Sequence, residues 1–316
     1  MEKKFWKRYI YLWYKYVIFE ELIAKDIERC RKVYQCVIKL IPHDLFTFGK
    51  MWIHFAKFEI RQNNLQNARN IFGTAIGKCP KKSIFNQYIS IEFQLGEFSR
   101  CRQIYNKYIE CFMEDCQVWI SYAKMEAKLD EYERCKQIYE ISISKQEHID
   151  MPEMIWRSYI DFEIQYQHLQ NARNLFERLL THTKHVKVWI TYAQFESTIA
   201  GVPAHSRAIF QRASDFFEKE FAHADSLLIQ ERVLLLDAWL QFEQEWGSPE
   251  EIDLARSKQP KRIKRKRPIK TEQGIDAGYQ EFYDFIFPSD QLFPSGALKL
   301  LQHAKSWKQN TSLPSD

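Results

Sequence analysis

At seven places along this 316-residue chain a glutamate stands seven positions after a Trp or another large apolar residue. The glutamates are Glu20, Glu59, Glu92, Glu126, Glu163, Glu196 and Glu243. Their leading residues are Trp13, Trp52, Phe85, Trp119, Trp156, Trp189 and, in a degenerate copy, Leu236. An aromatic lies three after each leader: Tyr16, Phe55, Tyr88, Tyr122, Tyr159, Tyr192 and Trp239. A line of carboxylates could in principle serve acid–base chemistry. That chemistry needs one shaped pocket rather than seven equivalent positions, so no catalytic residue is assigned. Offsets of zero, three and seven share one helical face, which puts each Glu on the same stripe as its Trp. A carboxylate there is partly buried, and burial without a cationic partner is costly.

The partner is written into a second pattern. Ten or eleven residues after each of the first six glutamates comes an Arg or Lys preceded by a small residue: Cys30–Arg31, Ala68–Arg69, Cys101–Arg102, Cys135–Lys136, Ala172–Arg173 and Ser206–Arg207. An aliphatic residue and then Tyr or Phe follow, as in Val33–Tyr34 and Ile71–Phe72. The small, aliphatic and aromatic positions share one helical face, and the Arg sits about 100° round from the small residue. We expect each Glu to bridge to the Arg on the second helix of its own repeat, Glu59 to Arg69 and Glu163 to Arg173.

Copies of the pattern recur at intervals of 33 to 47 residues, the period of helical-hairpin solenoids. Residues 65–72 and 169–176 are almost identical. Each repeat therefore reads as two antiparallel helices, the first aromatic and the second carrying the small packing position. Trp13, Trp52, Trp119, Trp156 and Trp189 are expected in the core.

These residues resemble the half-a-TPR, or HAT, repeat, with Trp-x2-Tyr-x2-Phe-Glu on the first helix and Ala-Arg-x-Ile-Tyr-Glu-Arg on the second. The resemblance covers about residues 5–256 and implies an all-α, right-handed α-solenoid. Arg8-Tyr-Ile-Tyr-Leu-Trp13, Gly77-Lys-Cys-Pro80, Asp150-Met-Pro-Glu153, the stretch from Trp156 to Glu163, and His185-Val-Lys-Val-Trp189 add specificity, as do Asp276-Ala-Gly and Phe282-Tyr-Asp-Phe-Ile-Phe-Pro288. They look like the C-terminal half of crooked-neck-like pre-mRNA splicing factors. That resemblance implies a non-enzymatic nuclear scaffold of the spliceosome, with proteins of a Prp-nineteen-type complex as partners and small nuclear RNA or pre-mRNA met mostly indirectly. A HAT scaffold of mRNA 3′-end cleavage or ribosomal RNA maturation, or a direct RNA binder, stays open as the alternative. Family members carry further HAT repeats ahead of the position matching Phe5. The first helix here starts without a polar capping repeat, so either something covers its face or Met1 opens a fragment of a longer protein.

Composition excludes several classes. Nine glycines form no phosphate-binding loop or dinucleotide fingerprint, so no cofactor or small-molecule substrate is expected. Of seven cysteines, three occupy the small packing position and the rest are scattered, which reads as a reducing compartment rather than a disulfide framework. No Cys or His spacing fits a zinc site, so no metal is expected. Phe5 to Phe19 is apolar but broken by Lys7, Arg8 and Lys15, and no membrane span is expected.

The tail differs from the repeats. Residues 258–270 hold eight basic side chains and no acid, and without them the formal net charge of +5 falls to −3. Pro260 and Pro268 flank the run and point to an extended linker over 257–274. Lys261, Arg262, Lys264, Arg265, Lys266 and Arg267 match a nuclear-import signal; phosphate contact with RNA and a solvated linker are the competing readings. Over 275–316, Tyr279, Phe282, Phe285 and Phe287 are too aromatic for a disordered tail, and Leu298, Leu301 and Trp307 mark a short amphipathic helix. Both segments are candidates for docking a partner or for packing back on the last repeat.

Overall fold

The computed structural model describes residues 3–43, 45–220, 226–270 and 276–288, with the backbone alone described for 3, 220, 226–228, 265–270, 276–282 and 284. Leu298, Leu301 and Trp307 lie outside the described residues. The chain divides into two compact units, Met1–Asp161 and Phe162–Asp316.

The first unit is built from antiparallel helical hairpins: α1 (Lys3–Phe19) with α2 (Ile27–Leu40), α3 (Gly49–Arg61) with α4 (Leu65–Lys78), α5 (Lys82–Gln94) with α6 (Phe98–Cys111), and α7 (Cys116–Ala127) with α8 (Tyr132–Ser144). Helix α9 (Pro152–Gln165) contains the division between the units. The second unit continues with α10 (Leu169–His182), α11 (Val186–Gln194), α12 (Pro203–Glu220), α13 (Ser226–Trp246) and α14 (Pro249–Ser257). An antiparallel pair of strands, β1 (Lys261–Lys270) and β2 (Asp276–Ile286), closes it. The α-solenoid architecture is thus present, with one apolar layer between successive helices rather than a central core.

Each hairpin turns in the same way. The residue four or five beyond the repeat Glu takes a left-handed conformation: Lys25, Asn63, Gly96, Asp130, Gln167 and Gly201. One residue later, a backbone N–H returns to the carbonyl of that Glu, as from Asn64 to Glu59 at 2.9 Å and from Glu97 to Glu92 at 3.0 Å. This is the Schellman pattern, which satisfies helix-end carbonyls and lets the chain reverse. In the first and sixth copies the helix end widens into a π-turn, Glu20–Ala24 and Phe195–Ile199. The extra residue in each explains why eleven positions, rather than ten, separate Glu from Arg in those two copies.

The small position fixes how closely the two helices approach. Cys30, Ala68, Cys101, Cys135, Ala172 and Ser206 are all buried. Where a donor is available, it reaches the carbonyl three residues before the repeat Glu: the Cys135 thiol donates to Ala123 at 3.3 Å and the Ser206 hydroxyl to Ala193 at 2.8 Å. A larger side chain would force the helices apart. All seven cysteines are free, and burial pushes the thiols of Cys30 and Cys101 up to about 11.

Trp52, Trp119, Trp156 and Trp189 are buried, as expected, whereas Trp13 is only half-buried. The basic run is extended, as its prolines imply, but it is a paired strand rather than a linker. Lys264 lies opposite Tyr283 and Arg262 opposite Phe285, with a register irregularity between Pro268 and Lys270. The boundary expected at 274/275 therefore cuts through a single hairpin.

Replacing Trp189 with Ala should cost roughly 3–5 kcal/mol, as for other buried aromatics. Because repeat proteins are stabilised largely by nearest-neighbour contacts, loss of hydrogen-exchange protection should concentrate in α10, α11 and α12. Unchanged exchange in those helices would contradict a core role for Trp189.

Candidate functional site at the joints between hairpins

The repeat glutamates are almost fully enclosed: Glu59, Glu92, Glu126 and Glu163 are 0% exposed. Four of the seven are gripped at two points by an Arg. Arg31 donates to Glu59 through Nε (2.7 Å) and Nη2 (3.1 Å). Arg69 grips Glu92 at 2.8 and 2.8 Å, and Arg102 grips Glu126 at the same distances. Arg173 holds Glu196 at 2.7 and 3.0 Å. In the degenerate copy, Arg207 Nε reaches both oxygens of Glu243 at 3.1 Å, joined by the Trp239 indole N–H at 3.1 Å. Two parallel charge-assisted bonds are the geometry in which a guanidinium pairs best with a carboxylate. Hydrogen bonding to these glutamates raises the pKa of Arg31, Arg69, Arg102 and Arg173 above the ordinary value.

These partners correct the expected pairing. Arg69 binds Glu92 rather than Glu59, and Arg173 binds Glu196 rather than Glu163. Glu163 instead accepts from Asn171 at 3.0 Å, with His168 at 3.4 Å. The reason is rotational. The small residue marks the face of the second helix that lies against its own first helix. One position further on, about 100° round, the Arg points to the following hairpin.

A second contact accompanies each of these four forks, recurs at one joint without a fork, and was not foreseen from the sequence. The aromatic of the second helix stacks on the aromatic at +3 of the next first helix. The pairs are Tyr34–Phe55, Phe72–Tyr88, Tyr105–Tyr122, Tyr139–Tyr159 and Phe176–Tyr192, with centroids 4.7–4.8 Å apart and planes within 16°. Phe210 and Trp239 repeat it at 6.0 Å. The signal was legible: every second helix reads Arg or Lys, two residues, then an aromatic. At four joints between successive hairpins a fork and a stack thus occur together, while the joint at Tyr139–Tyr159 has the stack and its Glu163 is held from its own hairpin; the carboxylates are enclosed in all of them.

A groove of about 450 Å³ in the first unit is lined by Asn106, Trp119, Tyr122, Arg134 and Ile141 among others. At the end of the second unit, the exposed strand pair carries Arg262 over the Tyr283 ring at 3.6 Å and Lys264 at 5.7 Å. Phe287 is 1% exposed beneath the buried Arg232, whose guanidinium lies 4.0 Å from its ring. Its expected role in partner docking is corrected: Phe287 packs back on the last repeat. Phe285 is half-buried, while the side chains of Tyr279 and Phe282, like those of Arg265, Lys266 and Arg267, fall outside the description. Among the described residues no three His, Cys, Asp or Glu side chains converge, and no helix is long and apolar enough to cross a membrane.

Comparison with known proteins agrees with this geometry. Residues 77–224 match the family described as "Pre-mRNA-splicing factor Syf1/CRNKL1 C-terminal HAT repeat". Crooked neck-like protein 1 of Homo sapiens is 46% identical over 98% of this chain and 36% of its own length. Protein crooked neck of Drosophila melanogaster is 42% identical over 97% of this chain and 44% of its own. Pre-mRNA-splicing factor clf1 of Aspergillus fumigatus is 43% identical, with 98% and 46% covered. The chain spans less than half the length of these relatives.

The joint makes a quantitative prediction. In a double-mutant cycle, Arg69 and Glu92 should show about 0.5–3 kcal/mol of coupling, whereas Arg69 and Glu59 should be additive. Denaturant unfolding of the single and double alanine variants reads both, and coupling to Glu59 in place of Glu92 would refute the assignment.

Proposed function

We propose that this HAT-repeat chain, a relative of the crooked neck-like splicing factors, is a non-enzymatic scaffold acting in pre-mRNA splicing in the nucleus, within a Prp-nineteen-type complex. The observation that carries the reading is identity of 42–46% over almost the whole chain to crooked neck-like proteins, one of them named a pre-mRNA-splicing factor. The joint geometry supports it. The carboxylates are used to link hairpins, so what a hairpin offers outward is helix surface, and contacts to other proteins are what such surfaces provide. RNA is met mostly through those proteins, because the repeat aromatics are spent on stacking with one another rather than exposed between basic side chains.

The basic strand supplies the address. Lys261, Arg262 and Lys264 stand on an exposed hairpin, and Arg265, Lys266 and Arg267 continue its sequence, forming a concentrated positive field that an import receptor could read.

The test is recovery of the tagged chain from nuclear extract. Splicing proteins and small nuclear RNAs should co-purify with it. Cleavage or preribosomal factors in their place would move the scaffold to another RNA-processing route. Neutralising Lys261, Arg262, Lys264, Arg265, Lys266 and Arg267 together should leave folding and partner binding in extracts intact while the protein accumulates in the cytoplasm. Nuclear residence of that variant would reject the import role.

A further inference from the structure

The groove over Trp119 and Tyr122 is open because two side chains that close its counterpart are replaced. It runs between the second helices α6 and α8, with α7 as its floor. The corresponding place between α10 and α12, over Trp189 and Tyr192, has a roof. Arg212 of α12 grips Glu177 of α10 at 2.8 and 3.0 Å, and its guanidinium lies 5.5 Å from the Trp189 ring. The Tyr192 hydroxyl bonds the same carboxylate. Glu177 stands five positions after the small residue Ala172, and Arg212 six after Ser206. The same count from Cys101 and Cys135 reaches Asn106 and Ile141. These two cannot form an ion pair, and Ile141 is left 48% exposed at the rim.

A carboxylate at the floor tyrosine recurs in the chain. Glu140, five after Cys135, accepts from the Tyr159 hydroxyl at 3.1 Å, as Glu177 does from Tyr192. Among the described residues the Tyr122 hydroxyl makes no such bond, and the nearby Glu126 is already forked by Arg102. Arg134 stands on the wall of the groove, half-exposed, and meets Glu131 only loosely at 3.8 Å. Ile109, Ile138 and Ile141 supply apolar lining. The groove thus offers a hydroxyl donor and a guanidinium beside an apolar surface. That is the complement of a carboxylate set next to an aliphatic or aromatic side chain.

We propose that this groove docks an acidic segment of a partner protein, one with an Asp or Glu within a helical turn of a Leu, Ile or aromatic residue. The carboxylate takes the place that Glu177 holds in the roofed counterpart, accepting from the Tyr122 hydroxyl and pairing with Arg134. The apolar neighbour covers Trp119 and Ile141. The volume, about 450 Å³, lies within the roughly 300–1,000 Å³ of ligand pockets and suits a few side chains rather than a whole helix. A carboxylate is favoured over a phosphate because a carboxylate is what Tyr159 and Tyr192 hold at the same hydroxyl. The chain's own apolar tail segment, 297–309, has the wrong charge, with Lys299, Lys305 and Lys308 and no acid. That the segment belongs to a partner protein rests on the scaffold reading; the preference for a carboxylate rests on the groove alone.

The probe is a library of random peptides displayed on phage and selected against the purified full chain. Counter-selection uses the Asn106→Glu/Ile141→Arg variant, which rebuilds the Glu177–Arg212 bridge over the groove and should keep its unfolding midpoint. Surviving peptides should carry Asp or Glu within a turn of an aliphatic or aromatic residue. Synthesised and titrated by fluorescence anisotropy, they should bind Tyr122→Phe and Arg134→Gln about tenfold more weakly than the unaltered chain. Tyr122→Phe keeps the stack on Tyr105 and Arg134 is half-exposed, so both variants should fold and report independently of the rebuilt bridge. An amide in place of the peptide carboxylate should cost as much. No surviving peptide, survivors without an acid, or equal affinity for both single variants would overturn the proposal. So would single-stranded oligouridine binding that the rebuilt bridge abolishes. None of these outcomes alters what co-purifies from nuclear extract, so this proposal and the splicing role fail separately.

Discussion

A carboxylate placed at the end of an aromatic helix, inside the apolar layer, constrains everything around it. Left alone it would destabilise the fold, because an ionised group out of water must find charge-assisted hydrogen bonds. Within a hairpin the available cations reach it only loosely, as Arg100 does at Glu92. The close grip comes from the hairpin before. Four joints are therefore specified twice, by a directional fork that tolerates little rotation and by an aromatic stack that fixes the distance. A buried ion pair is weak evidence of net stability, but breaking one is costly, and that asymmetry makes the fork a device for register. Helical hairpins packed by apolar contact alone could slide by a turn; with the fork they cannot do so without stranding a charge.

The same glutamate also sits at the reversal of the chain. Its carbonyl accepts the return hydrogen bond of the turn while its side chain faces the neighbouring repeat. One residue thus ends its helix and ties down the hairpin before it. The π-turns at Glu20–Ala24 and Phe195–Ile199 show how this is protected. An extra residue in the turn is absorbed as a local widening of the helix end, so Arg31 and Arg207 still reach Glu59 and Glu243. An insertion that shifted the second helix instead would have moved its Arg by about 100° and lost the grip.

Much of this was legible in the sequence. The Trp, aromatic and Glu at offsets of zero, three and seven gave the first helices, and the small–Arg pairs gave the second. What periodicity does not carry is direction across the stack. A helical wheel places Arg69 at the flank of its stripe, but only the position of Ala68 against its own first helix decides which neighbour the flank faces. The tail was harder for a different reason. Alternation in 261–270 is masked by the uniform charge of the run, so its pairing with 276–286 left no apolar pattern to read. Phe287 looked like a docking residue because aromatic content alone cannot distinguish a ring awaiting a partner from one already lying on Arg232.

The central claim is that the buried carboxylate belongs mechanically to the joint and not to its own hairpin. Hydrogen exchange of a Glu92→Gln variant, followed by mass spectrometry, tests this most directly. The account predicts that protection falls in α4 of the preceding hairpin, Leu65–Lys78, as well as in α5, which carries the substitution. If exchange quickens in α5 and α6 while α4 is unchanged, the fork from Arg69 does not couple the repeats and the account is wrong.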